Sequence, residues 1–472
     1  MHLFRHAPRG KLRDKRCRMK IVMMGCGKVG YTLTQALLQE GHDLTVIDQN
    51  SSVLSLLEEH LDVMCVRGNS ASIAVQKQAG TAEADLAIAV TEYDEVNLIS
   101  CMTAKKLGCS HTIARVRNPE YSEAYYYLRD ELGLNMIVNP ERTAAREIFG
   151  LLRYPSLLRR DLIAKGRAEI VELPVRPGGK LDGIRLLELY GMLKVRVLVC
   201  AVERGDEVFI PNGTFTLHGN DRIYVTAPSD YLLSLIRYTG LETNKIRSVM
   251  VLGGSRIGFY LAQMLTKVGI SVKMIDIDQK HCEKLSEMLS GVTVVNADAT
   301  SFDALTDEGI DETDALVSLL NFDEQNIVVS MFANNRKVPK VITKINRTEY
   351  GDIMRAAEIE CVITPKSLSN TDVLRFVRAL ENRYGSEVNA LHRMVDGKVE
   401  ALEFRADANT PYLNTPLKDI PLKKNILIAV ISHDGNITIP AGDSSYQKGD
   451  TIVVVTDAAR ALGSLNDIFA SA

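Results

Sequence analysis

The chain has 472 residues, which is too long for one hydrophobic core and predicts about two to four domains. Its 56 basic and 59 acidic residues give a formal net charge of −3, so it lacks the basic field that binds nucleic acid, and we expect no nucleic-acid partner. The eight cysteines occur singly, without a CxxC pair, which favours reduced, buried thiols over disulfides or a metal site. The longest apolar runs are strand-sized, well short of the roughly 20 residues of a membrane-spanning helix, so any membrane role is expected to be peripheral.

A basic leader, at positions 1–18, opens the chain. It carries seven Lys or Arg against one Asp and has no apolar segment, which excludes a secretory signal. A transit peptide or a basic anchor remains an alternative. We favour an over-called start codon or a disordered leader, because periodic sequence begins at Met19.

The rest of the chain contains two copies of one unit. Gly25 corresponds to Gly253 and Asp48 to Asp276, and both pairs have the same offset in sequence. An offset larger by a single position relates three further pairs, which are Asp94 with Asp323, Asn97 with Asn326, and Asp221 with Asp450. One nearly constant offset over this length indicates a tandem duplication.

Short apolar runs alternate with helical periods in the first copy. The predicted strands are residues 20–24, 44–48, 63–66, 86–90, 112–116 and 136–138. Strands separated by helix-length segments indicate right-handed βαβ crossovers. The predicted fold class is therefore α/β, with a Rossmann-like, doubly wound parallel sheet in each copy.

The pattern changes after Pro140 in the first copy. A helical segment at 141–158 precedes alternating strands with Gly and Pro turns up to Thr226, and the second copy repeats this with a helix at 367–382 and strands from 399 to 456. Each Rossmann-like domain is thus predicted to be followed by a helix and a small α+β domain. The expected domains are the leader at 1–18, Rossmann-like domains at 19–140 and 246–365, and helix-plus-small-domain units at 141–238 and 366–472, with 239–245 as the joint.

A glycine fingerprint, Gly25-x-Gly27-x-x-Gly30, follows the first strand and opens a helix, and Asp48 ends the next strand. The first glycine permits a tight turn, the second lets the backbone approach a diphosphate, and the third packs helix on strand. Asp48 is predicted to accept from ribose hydroxyls, which argues against a 2′-phosphate. The alternative is a turn that only shapes the fold. The other predicted site residues here are Cys26, Lys28, Val29 and Gln49.

The second copy departs from this pattern at its middle glycine. Ser255 replaces that glycine and is expected to crowd a diphosphate, although Gly254 beside it leaves some room and Asp276 is retained. An empty turn and a different nucleotide both remain open. The predicted site residues in this copy are Gly253, Gly254, Ser255, Arg256, Ile257, Gly258 and Asp276.

A second turn of the first copy, after the fourth strand, adds Thr91, Glu92, Asp94 and Asn97 to the predicted site. This turn lies at the carboxyl edge of the sheet, where ligands bind in such folds. Thr91 and Asp94 are also expected to cap the helix that follows. The same capping is expected in the second copy from Asn321 and Glu324.

Three further side chains have two interpretations each. Arg115 and Lys344 end the fifth strands, where a cation either neutralises phosphate charge or is a solvated surface residue; we favour the phosphate role for Arg115. Cys26 lies at a helix N-terminus, which can lower a thiol pKa and suit redox chemistry. The alternative for Cys26 is a small side chain facing the loop.

Catalytic groups are not evident in the sequence. No Ser or Cys has a nucleophile-elbow context, and neither small domain offers a His or Lys cluster that could serve a nicotinamide. We therefore expect a binding protein rather than an enzyme. An NAD-dependent dehydrogenase is the competing hypothesis.

The tandem of glycine turn, ribose acid, DExN turn and small β-rich domain resembles the RCK family (regulators of potassium conductance), as in the peripheral subunits of Trk potassium-uptake systems. The resemblance covers residues 19–472. It implies NAD(H) and ATP or ADP as competing ligands, with the ribose acid at Asp48 and the phosphate turn at Gly25, Gly27 and Gly30.

The same resemblance implies an assembly. It predicts a homo-oligomeric gating ring, cytoplasmic and peripheral on the inner face of the membrane, bound to a potassium-translocating membrane protein of the TrkH type. It also implies that the helix after each Rossmann-like unit crosses to a neighbouring unit, here near residues 144–158 and 370–380. Regulation of a different ion transporter is the alternative, since fold alone does not fix function.

Overall fold

The computed structural model describes residues 18–119, 129–155, 157–163, 168–193, 195–240, 245–347, 350–381, 388–458 and 462–470. The predicted leader lies outside the described residues except for Arg18, and so does most of the predicted joint at 239–245. Within the described ranges, no helix is both long and apolar enough to cross a membrane.

The first sheet has six parallel strands in the order β3-β2-β1-β4-β5-β6. Its strands are β1 (Lys20–Met24), β2 (Asp43–Asp48), β3 (Met64–Arg67), β4 (Leu86–Ala89), β5 (His111–Arg115) and β6 (Met136–Val138). Its helices are α1 (Lys28–Gln39), α2 (Ser51–His60), α3 (Ile73–Gln78) and α4 (Asp94–Leu107). This order confirms the doubly wound prediction. The strand order reverses between β1 and β4, so the turns after these two strands meet at the usual ligand position.

A helix and a small antiparallel sheet follow. Helix α5 (Pro140–Arg153) is shorter than predicted, because Pro155 disfavours helical backbone at the residue before it. The sheet has five strands in the order β10-β9-β11-β8-β7. Its elements are β7 (Arg159–Ile163), β8 (Ala168–Pro174), α6 (Leu186–Met192), β9 (Leu198–Arg204), β10 (Glu207–Phe209), β11 (Arg222–Ala227) and α7 (Ser229–Thr239).

The second half repeats this architecture. Its parallel sheet has the order β14-β13-β12-β15-β16-β17 and its antiparallel sheet the order β18-β19-β22-β20-β21. The parallel sheet comprises β12 (Ser248–Leu252), α8 (Arg256–Lys267), β13 (Ser271–Asp276), α9 (Gln279–Met288), β14 (Val292–Asn296), α10 (Phe302–Asp307), β15 (Ala315–Ser318), α11 (Asp323–Asn335), β16 (Lys340–Lys344), α12 (Gly351–Ala356) and β17 (Val362–Ile363). The small domain comprises β18 (Val388–Met394), β19 (Val399–Arg405), β20 (Ile426–His433), β21 (Asn436–Thr438) and β22 (Thr451–Asp457), preceded by helix α13 (Pro365–Glu381).

The helices α5 and α13 each pack on the opposite half of the chain. Helix α5 lies against α8, and its Ile148 and Leu152 share a core with Leu261 and Leu265. Helix α13 lies against α1, and its Val373 and Val377 share the core of the first Rossmann-like domain with Leu33 and Leu37. Each half therefore completes the other, and the two small sheets also share one core, formed by residues such as Ile170, Tyr224, Ala401 and Val453.

Candidate nucleotide-binding site

The first glycine turn leaves the N-terminus of α1 open. Gly25 has φ +89°, and a Cβ atom there would lie 2.8 Å from Thr91 Cα, so only glycine fits. Gly27 is the N-cap of α1 and contributes no side-chain cap. A Cβ atom at Gly27 would meet no described atom within 4 Å. The backbone N–H groups at this helix end are thus accessible to an anion.

Asp48 braces this turn from the end of β2. One carboxylate oxygen accepts from Cys26 N–H at 2.7 Å, and the other accepts from Asn50 N–H at 2.8 Å. Each oxygen retains a second lone pair that can accept from a ribose hydroxyl. Gln49 and Lys28 are exposed beside the turn and Val29 is half-buried. The exposed members of the predicted set therefore lie around the open end of α1, whereas Cys26 and Gly30 are buried.

Cys26 lies in the turn but is not suited to redox chemistry. Its side chain is buried, and burial raises the pKa of its thiol to about 12. The thiol stays protonated at neutral pH, and only the thiolate is a strong nucleophile. The redox interpretation is therefore wrong, and Cys26 acts as a small side chain that packs inward.

Asn97 ties the ends of β4 and β5 together. Its fully buried side-chain oxygen accepts from Thr91 N–H and Thr91 Oγ1, both at 2.7 Å. Its amide nitrogen donates to the carbonyl of Arg115 at 2.9 Å. Asn97 thus fixes the position of Thr91, whose backbone closes over Gly25.

The capping prediction for the DExN turns is wrong. The N-cap positions of α4 and α11 are held by Tyr93 and Phe322, neither of which makes a side-chain cap hydrogen bond. Buried Asp94 instead accepts from Arg117 N–H and Asn118 N–H, both at 2.8 Å. Its carboxylate satisfies the loop after β5 rather than the start of α4. In the second copy Asp323 accepts in the same way from the backbone of Asn346 and Arg347.

The cations that end the fifth strands are buried, so the solvated-surface interpretation is wrong for both. Arg115 donates from Nη2 to the carbonyl of Thr91 at 2.6 Å, and Lys344 donates from Nζ to the carbonyl of Leu319 at 3.2 Å. Burial lowers the pKa of Arg115 to about 10 and also lowers the pKa of Lys344. Arg115 is therefore a buried cation at the carboxyl edge of the first sheet, with Glu141 and Asp94 as the acids that offset its charge.

Charged residues from both halves meet at this edge. Burial raises the pKa of Glu141, at the start of α5, while the positive charges of Arg117, Arg115 and Arg256 oppose that shift. Arg256 comes from the second glycine turn, so one half's helix N-terminus lies within electrostatic reach of the other half's sheet edge. In the described part of the chain, four buried atoms of this cluster lack a hydrogen-bond partner: Asp94 Oδ1, Arg115 Nε, Arg117 Nε and Glu141 Oε2.

The two arginines of this cluster are suited to a phosphate group. Arg115 Nε and Arg117 Nε are buried donors without a hydrogen-bond partner among the described residues, and an anion that accepts from them removes the cost of burying them. Asp94 Oδ1 and Glu141 Oε2, in contrast, are acceptors that an anion does not satisfy. Arg117 and Glu141 were not predicted from the sequence. The only sequence signals for them are the Arg-x-Arg spacing after β5 and the acid after Pro140. The open turn at Gly27 and these donors together fit a nucleotide.

In the second glycine turn Asp276 takes the place of Asp48, but neighbouring side chains fill the space beside Gly254. Asp276 accepts from Gly254 N–H at 2.7 Å. Ser255 caps α8 itself, since its hydroxyl accepts from Gly258 N–H at 3.5 Å. A Cβ atom at Gly254 would lie 2.4 Å from Leu285 Cδ1 and 3.2 Å from His281 Cε1. Part of the helix N-terminus is therefore already satisfied by the chain's own hydroxyl group.

Two domain families match the chain twice each. The TrkA-N domain matches residues 21–140 and 249–365, and the TrkA-C domain matches residues 170–240 and 401–465. The chain is also 31% identical over 436 residues to a Trk system potassium uptake protein TrkA homolog of Archaeoglobus fulgidus, covering 92% of this chain and 97% of the relative. The chain belongs to the TrkA family.

Other members and solved structures agree with this membership. The Trk system potassium uptake protein TrkA of Halomonas elongata is 31% identical over 458 residues, covering 96% of this chain and 98% of that TrkA. The GsuK RCK domain has a TM-score of 0.63 at 21% identity and covers 97% of this chain and 96% of its own. The GsuK channel bound to NAD has a TM-score of 0.62 at 20% identity, covering 94% of this chain and 78% of that chain. These two structures show the tandem RCK fold predicted from the sequence.

Proposed function

We propose that this TrkA-family chain is a nucleotide-sensing regulatory subunit of a Trk-type potassium transporter. Its relatives over almost the full length are named potassium uptake proteins. The observation that carries the nucleotide part of the proposal is the first glycine turn, which is open at Gly27 and braced by Asp48. The site residues of this sensor are those predicted at both glycine turns and at the carboxyl edge of the first sheet.

NAD(H) is the proposed ligand of the first turn, with ATP or ADP competing for it. An acid at the end of β2 suits an unphosphorylated ribose. The GsuK channel, which shares the fold, has been solved with NAD and with ADP. In the second turn the capped helix end predicts weaker binding of a diphosphate.

The proposed mechanism is a change of shape on binding. Arg117 and Arg256 of the other half both repel the charge of Arg115, while Glu141 and Asp94 offset part of this repulsion. A phosphate chain that neutralises these cations stabilises the arrangement in which the two halves approach each other. The ligand then affects transport only through its different affinities for the two shapes, so no reaction on the ligand is needed.

Exposed apolar residues at equivalent positions in both halves support assembly into a homo-oligomeric ring. Helix α4 exposes Ile99 and Met102, and α11 exposes Val328 and Met331, which are their counterparts in the repeat. Paired apolar surfaces of this kind are typical of interfaces. We expect Ile99→Lys with Val328→Lys to lower the mass measured by light scattering, whereas an unchanged mass would place the ring contacts elsewhere.

The first experiment is calorimetric titration with NADH, NAD, ATP and ADP. The wild-type chain is compared with Asp48→Ala and with the matched control Asp276→Ala. We expect Asp48→Ala to lose the tightest binding event and Asp276→Ala to retain it. Absence of binding by all four nucleotides would reject the sensor function, and equal losses in both variants would reject the assignment to the first turn.

The membrane partner is tested separately. The proposed partner is a potassium-translocating membrane protein of the TrkH type, bound at the cytoplasmic face of the inner membrane. Co-purification with that protein, and nucleotide-dependent potassium flux in vesicles that contain both, are the expected results. Co-purification with another ion transporter instead would assign the chain to that transporter.

A further inference from the structure

Helix α1 connects the first glycine turn to a buried ion pair at its other end. Glu40, the C-cap residue of α1, pairs with Arg378 of α13. The guanidinium donates from Nη2 at 2.7 Å and from Nε at 3.1 Å to the two carboxylate oxygens. Only 11% of the Arg378 side chain and 6% of the Glu40 side chain are exposed. A bidentate pair that is this desolvated holds its two helices in one relative position.

Other contacts fix the same two helices along their length. Asn370 donates to Thr32 Oγ1 at 3.0 Å, one turn beyond the glycine turn. Leu33 and Leu37 of α1 share a core with Val373 and Val377 of α13. Because interiors are close-packed, a displacement of α1 is transmitted to α13.

The other face of α13 contacts the second small domain. Helix α13 packs on β18, and Arg375 Nη2 lies 3.4 Å from His392 Nδ1 in that strand. His392 is buried, and its Nε2 lies 3.7 Å from Glu403 Oε1 in β19. Helix α13 thus has polar contacts to α1 and to the sheet of the second small domain, and also to α5, where Thr143 Oγ1 donates to Asp372 Oδ2 at 3.3 Å.

We propose that a nucleotide bound at the first glycine turn acts on the second small domain, through α1, the Glu40–Arg378 pair and α13, rather than on the small domain of its own half. The inference rests on the proposed nucleotide function. Coupling between two sites is reciprocal, so the second half also sets the affinity of the first turn. Arg378 is therefore a positioning residue for a ligand that it does not touch.

The equivalent contact of the repeat, between α8 and α5, has no counterpart of the Glu40–Arg378 ion pair among the described residues. The residue equivalent to Glu40, at the offset that relates the two glycine turns, is Val268, which is 55% exposed. Helix α8 meets α5 through apolar side chains and through Tyr260 Oη, which accepts from the Asn139 amide at 3.0 Å. The route from the first turn to the second small domain thus carries the buried Glu40–Arg378 pair, whose first member has no charged counterpart at Val268.

The experiment is hydrogen–deuterium exchange of the full chain with and without saturating NADH. We expect NADH to slow exchange in the glycine turn, in α13 and in β18–β19, and to leave β8–β11 of the first small domain unchanged. Slowed exchange in β8–β11 without any change in α13 and β18–β19 would overturn the inference, although nucleotide binding itself would stand.

Variants test the ion pair directly. Arg378→Gln and Glu40→Gln are compared with Lys273→Gln, which breaks the Lys273–Glu308 pair (3.0 Å) within the second Rossmann-like domain. We expect either change at the Glu40–Arg378 pair to weaken NADH binding about tenfold, as typical couplings do, and to abolish the NADH effect on β18–β19. The control is expected to keep both properties.

The outcomes separate the two proposals. If the variants at Glu40 and Arg378 bind NADH as the wild type does and still protect β18–β19, the inference is wrong and the sensor function survives. If the wild-type chain binds no nucleotide in calorimetry, the sensor function fails and the inference fails with it. If a variant does not fold, the exchange pattern of the wild type still decides between the two small domains.

Discussion

In each of the two glycine turns an aspartate accepts a hydrogen bond from the backbone of the turn, but the helix N-termini of the two turns have different contacts. Asp48 and Asp276 accept from equivalent backbone N–H groups, both at 2.7 Å. Gly27 leaves α1 uncapped, whereas the hydroxyl of Ser255 accepts from Gly258 N–H and caps α8. A helix end that is satisfied within the chain has less to offer an anion. The hydroxyl of Ser255 thus distinguishes the second turn from the first.

The largest expected effect comes from making the first turn like the second. Gly27→Ser supplies a cap to α1 and occupies the space that a phosphate would use. Loss of charge-assisted hydrogen bonds worth about 3 kcal/mol weakens NADH binding on the order of a hundredfold. Calorimetry measures the loss, and urea unfolding should show a stability that is unchanged or slightly higher. Wild-type affinity in this variant would contradict the role assigned to Gly27.

A smaller effect distinguishes the first glycine of each turn. Gly25 and Gly253 both have positive φ, but an alanine Cβ would lie 2.8 Å from Thr91 Cα at Gly25 and 3.1 Å from Leu319 O at Gly253. We expect Gly25→Ala to lower the free energy of unfolding by about 2 kcal/mol and Gly253→Ala by about 1 kcal/mol. Urea denaturation measures both, and a larger loss from Gly253→Ala would reverse the comparison.

The converse change should open the second turn. Ser255→Gly removes the cap of α8, and His281→Val introduces the residue found at the equivalent position 53. We expect the double variant to bind nucleotide at the second turn about tenfold more tightly, a gain of about 1.4 kcal/mol. The second binding event in calorimetry reports this gain. Unchanged affinity at that event would contradict the assignment of the closed turn to Ser255 and His281.

The smallest effect compares the two small domains. Asp221 pairs with Arg204 at 2.7 Å, whereas Asp450 pairs with His433 at 2.6 Å. The hydrogen bond to Asp450 raises the pKa of His433. A raised histidine pKa stabilises the fold below the unfolded pKa of about 6.5, and this stabilisation is lost as pH rises through the folded pKa.

We therefore expect the Tm difference between wild type and His433→Gln to be larger at pH 6 than at pH 8.5. The matched variant Arg204→Gln should give the same Tm difference at both pH values, because the arginine stays charged. A His433→Gln difference that grows with pH would contradict the assigned ion pair.

The sequence was sufficient for the parallel sheets. Strands were predicted residue by residue in the first sheet, from apolar runs such as 86–90, and the structure places them within one residue of the predicted positions. The strands of the small domains were predicted less completely. Strand β18 (Val388–Met394) lies wholly before the predicted start at 399, although Asp396-Gly397, a hairpin-turn signal, stands between it and its antiparallel partner β19.

Some residues of the candidate site could be predicted from the sequence and others could not. Gly25, Gly27 and Asp48 are recognisable because their spacing is local and each performs a known geometric task. The capping role of Asp94 was mispredicted, because its partners lie 23 and 24 residues away, beyond the reach of a local pattern. The approach of Arg256 to Arg115 and Glu141 depends on contacts between the two halves, which no spacing encodes.

The exchange of α5 and α13 also bears on how the chain is made. The core that contains Leu33 and Leu37 is completed by Val373 and Val377, which belong to the other half of the chain. During synthesis the first Rossmann-like domain must therefore leave the ribosome with that apolar face uncovered, a state that is prone to aggregation and suited to chaperones. Fusing the two halves into one polypeptide raises the effective concentration at which the missing helix arrives. In a single polypeptide the missing helix is supplied when translation ends, and no separate subunit has to bind first.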